Sequence, residues 1–177
     1  MTKARVATVW LDGCSGCHMS LLDMDERLIL LAEKIDLVYS PLVDAKQFPE
    51  NVDVALVEGS VSTEEDLHKI KLIRKNSRVL VSLGDCAVTG NVPSMRTLFP
   101  LAKVLDRVYV ENSTINRHAP TKVVPRLLEQ VRPLHEVVAV DLYLPGCPPS
   151  AENIFFAISE LLEGRMPEMD SSVRFGA

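Results

Sequence analysis

The chain has no excess of positive charge: its Lys and Arg number 19 against 24 Asp and Glu, a net charge of -5. That balance excludes a polyanion such as nucleic acid as its partner. Long hydrophobic runs are also missing. The longest, such as 28–32 and 137–140, fall far short of the roughly 20 apolar residues that span a bilayer, so no membrane insertion is expected. Lys3 and Arg5 lead straight into Val6-Ala7-Thr8-Val9-Trp10-Leu11, without the long apolar region and cleavage site of a secretory signal, which predicts a cytoplasmic protein. Repeats, low-complexity tracts and dividing linkers are absent. With 47% hydrophobic and 24% charged residues over 177 positions, the chain reads as a single domain, 1–177, long enough to bury its own core.

Cysteine is scarce, at four residues. Two disulfides are conceivable by count, but a cytosolic chain of this size does not need them and its compartment keeps thiols reduced. Metal or redox chemistry becomes the leading reading.

Hydrophobic periodicity predicts strands over 6–11, 35–39, 52–57, 79–83, 107–110 and 136–144. It predicts helices over 18–34, from a capping box at Ser62-Thr63-Glu64-Glu65 to about Asn76, over 120–131 despite Pro125, and from Ser150 to about Glu163. Strands alternating with helices imply a mostly parallel sheet covered on both faces: an α/β, doubly wound, flavodoxin-like fold. Cys14, Cys86 and Cys147 each follow a predicted strand, and such strand ends share the sheet edge where ligands bind.

Cys14-Ser15-Gly16-Cys17 is a C-x2-C pair that can give two thiolates to one polynuclear centre, with Cys86 and Cys147 completing four. Cys17 opens the predicted first helix, whose positive end favours an anionic cluster, and Gly13, Gly16, Gly84 and Gly146 allow close backbone approach. Zinc also takes four thiolates, although small zinc sites usually come as two C-x2-C knuckles. A thioredoxin-like dithiol accounts for Cys14 and Cys17 alone. FMN, the ligand of flavodoxin-like folds, would occupy the loop after the first strand, which here carries thiols.

The segments Trp10-Leu11-Asp12-Gly13-Cys14-Ser15-Gly16-Cys17-His18-Met19-Ser20, Glu58-Gly59-Ser60, 84–93 and Pro145-Gly146-Cys147-Pro148-Pro149 together resemble the small subunit of nickel-iron hydrogenases. The wording after Cys17 and Cys86 is nearest the cytoplasmic, bidirectional NAD-reducing type. The resemblance implies that the four cysteines hold the proximal 4Fe-4S cluster, facing a nickel-iron centre on a separate large subunit. Uptake-type small subunits carry a twin-arginine leader and a further domain with two more clusters, whereas no cysteine follows Cys147 here. One cluster is therefore expected, with electrons passing to an iron-sulfur protein and a flavin-bearing diaphorase that supply FMN and the NAD site. The related complex I subunit shares the Pro-Gly-Cys-Pro-Pro loop but has two adjacent cysteines in place of the spaced pair; complex-I-like and other membrane-associated hydrogenase subunits form the alternative.

Four further residues are candidates around the cluster. Glu58 reads as a proton carrier or neighbouring anion, or as a solvated carboxylate capping the next helix. His18 either bonds a sulfide, meets a partner, or sits exposed at a helix start. Asp12 is expected to cap the cysteine loop through its backbone. Thr89, with Asn91 and Arg96, belongs to a polar loop that could support the cluster or contact a partner, and 116–118 is a second polar loop. Met19 and Met24 suit an interface, Leu22 the core, and the run Asp23, Asp25, Glu26 a wet helix face.

Overall fold

Apolar runs bounded by glycine and polar turns form the sheet in the computed structural model, which describes residues 2–169 and 173–176. β1 (Ala4–Trp10) is rich in β-branched residues. It leads through the cysteine loop into α1 (Gly16–Leu22) and α2 (Arg27–Lys34). The sequence predicts one helix over 18–34; the chain instead turns at 23–26, where Asp25 takes φ 50°, so the acidic run forms a bend and not a helix face. β2 (Ile35–Tyr39), β3 (Val52–Glu58) and β4 (Val61–Thr63) follow, then α3 (Glu64–Asn76). The Thr63 hydroxyl accepts the Asp66 N–H at 3.0 Å and the Asp66 carboxylate accepts the Thr63 N–H at 2.9 Å. This reciprocal cap stabilises the helix by about 1 kcal/mol.

β5 (Ser77–Leu83) precedes α4 (Asp85–Thr89) and α5 (Asn91–Ser94), a 3-10 turn over Met95–Leu98, and α6 (Leu101–Asp106). Residues 107–110, predicted as a strand, continue α6 as a π-helical turn, Arg107–Glu111, and among the described residues neither sheet includes them. The helix predicted over 120–131 is also replaced. Pro125 removes a helical donor, and β6 (Leu127–Arg132) pairs antiparallel with β4. Of the strand predicted over 136–144 only β7 (Leu142–Leu144) pairs, after a 3-10 turn at Leu134–Glu136. α7 (Ala151–Leu162) starts as expected at Ser150, whose hydroxyl accepts the Asn153 N–H at 3.2 Å.

The main sheet runs β2-β1-β3-β5-β7, all parallel. Counting only its own strands, that is the flavodoxin order 2-1-3-4-5, with the topological switch between β1 and β3. Successive residues face opposite layers. Val54 and Leu56 pack toward Met24 of the 23–26 turn and Leu31, Ile154 and Ile158 of the helices on one side. Ala55 and Val57 pack toward Ile70 and Ile73 of α3 on the other. Each fully buried Leu or Ile contributes roughly 1.5–3 kcal/mol, and these two layers fix where the strands end. No helix among the described residues is long and apolar enough to cross a membrane.

Candidate metal centre

Four chain segments meet at the C-terminal ends of β1, β3, β5 and β7. Leu11 N–H donates to the Glu58 carbonyl at 2.9 Å, and the Asp12 and Ser60 backbones pair at 3.1 and 2.8 Å. Asp12 thus ties the cysteine loop to the loop after β3 through its backbone. Trp10 Nε1 donates to the Gly13 carbonyl at 3.1 Å, closing that loop from outside.

The loops after β5 and β7 are joined in the same way. Gly84 N–H donates to the Leu144 carbonyl at 2.8 Å and Asp85 N–H to the Gly146 carbonyl at 2.9 Å. The buried Asp85 carboxylate accepts the Gly146 N–H at 2.7 Å and the Gly176 N–H at 2.6 Å. Ser20 on α1 donates to the Pro149 carbonyl at 2.5 Å. The loops carrying Cys14 and Cys17, Cys86, and Cys147 are therefore bonded into one unit.

Cys17 is buried, Cys86 half-buried, and Cys14 and Cys147 exposed, all as free thiols. Each of the four lies within electrostatic range of others. Burial raises the Cys17 thiol well above its ordinary range, reinforced by Glu58, Cys86, Cys14 and Cys147. Burial pushes Cys86 up to about 11, with Cys14, Cys147 and Glu58 adding to it and a backbone bond at Val92 opposing it. Four thiolates crowded beside a carboxylate repel one another, and a cationic centre among them would remove that penalty. Among the described residues, no three of His, Cys, Asp and Glu close on a single metal ion. The fit to a group larger than one ion rests on the thiols' common placement and on Gly84. Gly84 has φ +81°, and a Cβ there would stand 2.2 Å from Cys17 Sγ, so only glycine leaves that sulfur its place. At Gly16 a Cβ would face Cys14 Sγ at 3.3 Å, whereas at Gly13 and Gly146 it would meet backbone.

Glu58 and His18 are buried, at 1% and 3% exposure, against the reading of a solvated cap and an exposed helix start. The Glu58 carboxylate accepts the N–H of Cys17 at 3.4 Å and of His18 at 3.0 Å, and also contacts His18 Nδ1. The open N–H groups of α1 that the sequence assigns to a cluster are thus taken by Glu58. His18 Nε2 lies 3.0 Å from Thr8 Oγ1, and the Thr8 hydroxyl donates to Ser40 Oγ at 2.8 Å. A buried polar chain therefore runs from the cysteine loop to the end of β2.

The remaining candidates divide. Asn91 Nδ2 donates to Cys147 Sγ at 3.6 Å, a bond to sulfur of the kind that stabilises a thiolate. Thr89 is exposed and donates to the Asp85 carbonyl at 2.9 Å, serving the short helix α4. Arg96 points away, its guanidinium donating to the carbonyls of Leu128 at 2.9 Å and Ser62 at 3.0 Å. Sequence reasoning missed Asp85 and Ser20. Asp85 stands beside Cys86 after a glycine, the one local signal that it could serve the site.

A family profile described as NADH ubiquinone oxidoreductase, 20 Kd subunit, matches residues 14–161. The delta chain of the NAD-reducing hydrogenase HoxS of Cupriavidus necator is 43% identical over 97% of this chain and 84% of its own. A subunit of the F420-non-reducing hydrogenase vhu of Methanocaldococcus jannaschii is 38% identical over 96% of this chain, which spans only 59% of that relative's length. Among solved structures, an NAD+-reducing [NiFe]-hydrogenase in the H2-reduced state contains a chain that superposes with TM-score 0.94 at 40% identity, covering 98% of this chain and 99% of its own. A Dm. baculatum [NiFeSe]-hydrogenase, at TM-score 0.62 and 20% identity over 99% of this chain and 70% of its own, shows the shared fold. The chain belongs to the NADH ubiquinone oxidoreductase 20 Kd subunit family, on its side of nickel-iron hydrogenase small subunits of the NAD-reducing type.

Proposed function

We propose that Cys14, Cys17, Cys86 and Cys147 hold one 4Fe-4S cluster, and that the chain relays electrons between a nickel-iron centre on a large subunit and an iron-sulfur and flavin-bearing diaphorase that reduces NAD. The observation that carries this reading is the convergence of four thiols from three bonded loops at the switch point of the sheet. The cluster would supply one-electron redox capacity at a potential tuned by charge, burial and bonds to sulfur.

The chain's own residues provide that tuning. Asn91 holds the exposed Cys147 sulfur, Gly84 leaves room for Cys17, and the buried Glu58 acts electrostatically on the buried Cys17 thiol. Hydrogen cleavage belongs to the large subunit, so this chain is a non-catalytic subunit of a hydrogen:NAD oxidoreductase. The spaced pair Cys14 and Cys17 favours this over a quinone-linked complex. The whole is placed in the cytoplasm, as a single iron-sulfur domain within a hetero-oligomer. H2-dependent NAD reduction by the purified complex tests the assignment: Cys86→Ser and Cys147→Ser should abolish it while dye reduction by the diaphorase persists, and full activity in either variant would contradict the proposal.

A further inference from the structure

Between Gly90 and Val131 no residue is buried. This stretch is not polar, however. It exposes Leu98, Phe99, Val108, Ile115 and Val123, Leu98 to 80%, and most of 112–126 has neither helix nor strand. Fixing the backbone of each residue costs about 1–2 kcal/mol, and a segment in which no residue is fully buried has less to offset that cost. The arm is tied to the body at its ends, by Arg96 to Leu128 and Ser62 and by the Val131 N–H donating to Thr97 at 3.1 Å.

Charge sets the arm apart as well. Residues 91–130 hold six Lys and Arg (96, 103, 107, 117, 122, 126) against three Asp and Glu (106, 111, 129), while the whole chain is acidic at -5. Phe99, just before α6, together with Lys103, Val104, Arg107 and Val108 of α6 and its π-helical extension, lines a groove of about 310 Å³. Lys103 and Lys122 have no ion-pair partner among the described residues. The arm also leaves the body at α4 and α5, where Cys86 sits and Asn91 bonds Cys147.

We infer that the arm 98–126 is a docking surface for an acidic protein subunit, one that lays an apolar side chain flanked by carboxylates into the Phe99–Val108 groove and extends over the cysteine edge. The match of a groove lined by apolar and cationic residues with that chemistry carries it, and the identity of the subunit as an electron-exchange partner rests on the proposed function. Covering by the partner supplies the burial that the arm lacks on its own.

The test compares the full chain alone with the chain in its purified native complex by hydrogen exchange. Peptides from 98–126 should exchange at least about tenfold more slowly in the complex. The double variant Lys103→Glu/Lys122→Glu should weaken assembly about tenfold and flatten its salt dependence, with iron per chain unchanged. Equal exchange in both states, or assembly by the variant at wild-type strength, would overturn the inference. So would protection of the isolated chain that rises with its own concentration, since a second copy would then be the occupant. An iron-free wild-type complex that still protects the arm would sink the cluster reading and leave the docking surface standing.

Discussion

The cysteine edge and the arm differ in how much of their order comes from within the chain. At the edge, Glu58, His18, Thr8 and Ser40 are buried and bonded in sequence, and Asp85 clamps Gly146 and Gly176. Across 91–130 nothing is buried, and apolar side chains face outward. The edge holds its geometry through bonds within the chain, as the proposed redox site requires. The arm, in contrast, is shaped for company. Rigid donor placement and adaptable contact surface are thus divided between two adjoining parts of one chain.

The largest effect expected from breaking this contrast lies at Glu58. Glu58→Ala leaves the His18 ring and the N–H groups of Cys17 and His18 without their buried acceptor, and should cost about 3–5 kcal/mol in urea unfolding. A loss under about 1 kcal/mol would show that the edge is not self-sufficient.

Gly84→Ala comes next. Its Cβ would collide with Cys17 Sγ, whereas at Gly164, with φ +75°, nothing lies within 4 Å. Both substitutions strain the backbone, Gly84→Ala the more because its φ 81°, ψ 163° lie in a region that essentially only glycine enters, and only Gly84→Ala should strip most of the iron. Equal iron content in the two variants would remove Gly84 from the site.

In the arm the expected effect is small. Leu98→Ala and Val108→Ala should change the stability of the isolated chain by no more than about 0.5 kcal/mol, measured in the same urea titration. A cost of about 2 kcal/mol or more, of the order seen for buried Leu→Ala changes, would mean that the arm packs on its own body.

The mildest contrast is one of pH. In the iron-free chain Cys86 is raised from its ordinary 9.0 to about 11, so the folded state binds the thiol proton more tightly than the unfolded chain does. Stability should hold below about pH 9 and decline as pH climbs toward 11. Cys86→Ser should flatten part of that decline, and an unchanged profile would show that Cys86 does not contribute to it.

How far the sequence foretold this division follows from what each part depends on. β1, β3, β5, α3 and α7 carry unbroken apolar runs or helical spacing, with a cap at Ser150 as read and one at Thr63 with Asp66, a residue later than the box read at 62–65. Leu127, Leu128 and Val131 suit a helix as well as a strand, and pairing with β4 decides the matter. Val108 and Val110 have strand propensity, yet among the described residues neither sheet takes them in. The placement of the cysteines was legible because Cys14, Cys86 and Cys147 each follow a strand and Cys17 opens the helix just after Cys14. That Glu58 reaches back 40 residues to His18, and Asp85 forward 61 residues to Gly146, was not, since only the packed sheet brings such pairs together.

The measurement that bears most directly on the account is a count of iron and acid-labile sulfide per chain in anaerobically purified protein, with the reduced spectrum recorded by EPR. About four of each, together with the signal of a single reduced cubane that is lost or altered in Cys14→Ser, Cys17→Ser, Cys86→Ser and Cys147→Ser, is the result predicted. A colourless protein holding one zinc, or full iron content and an unaltered signal after replacement of Cys86 or Cys147, would contradict it.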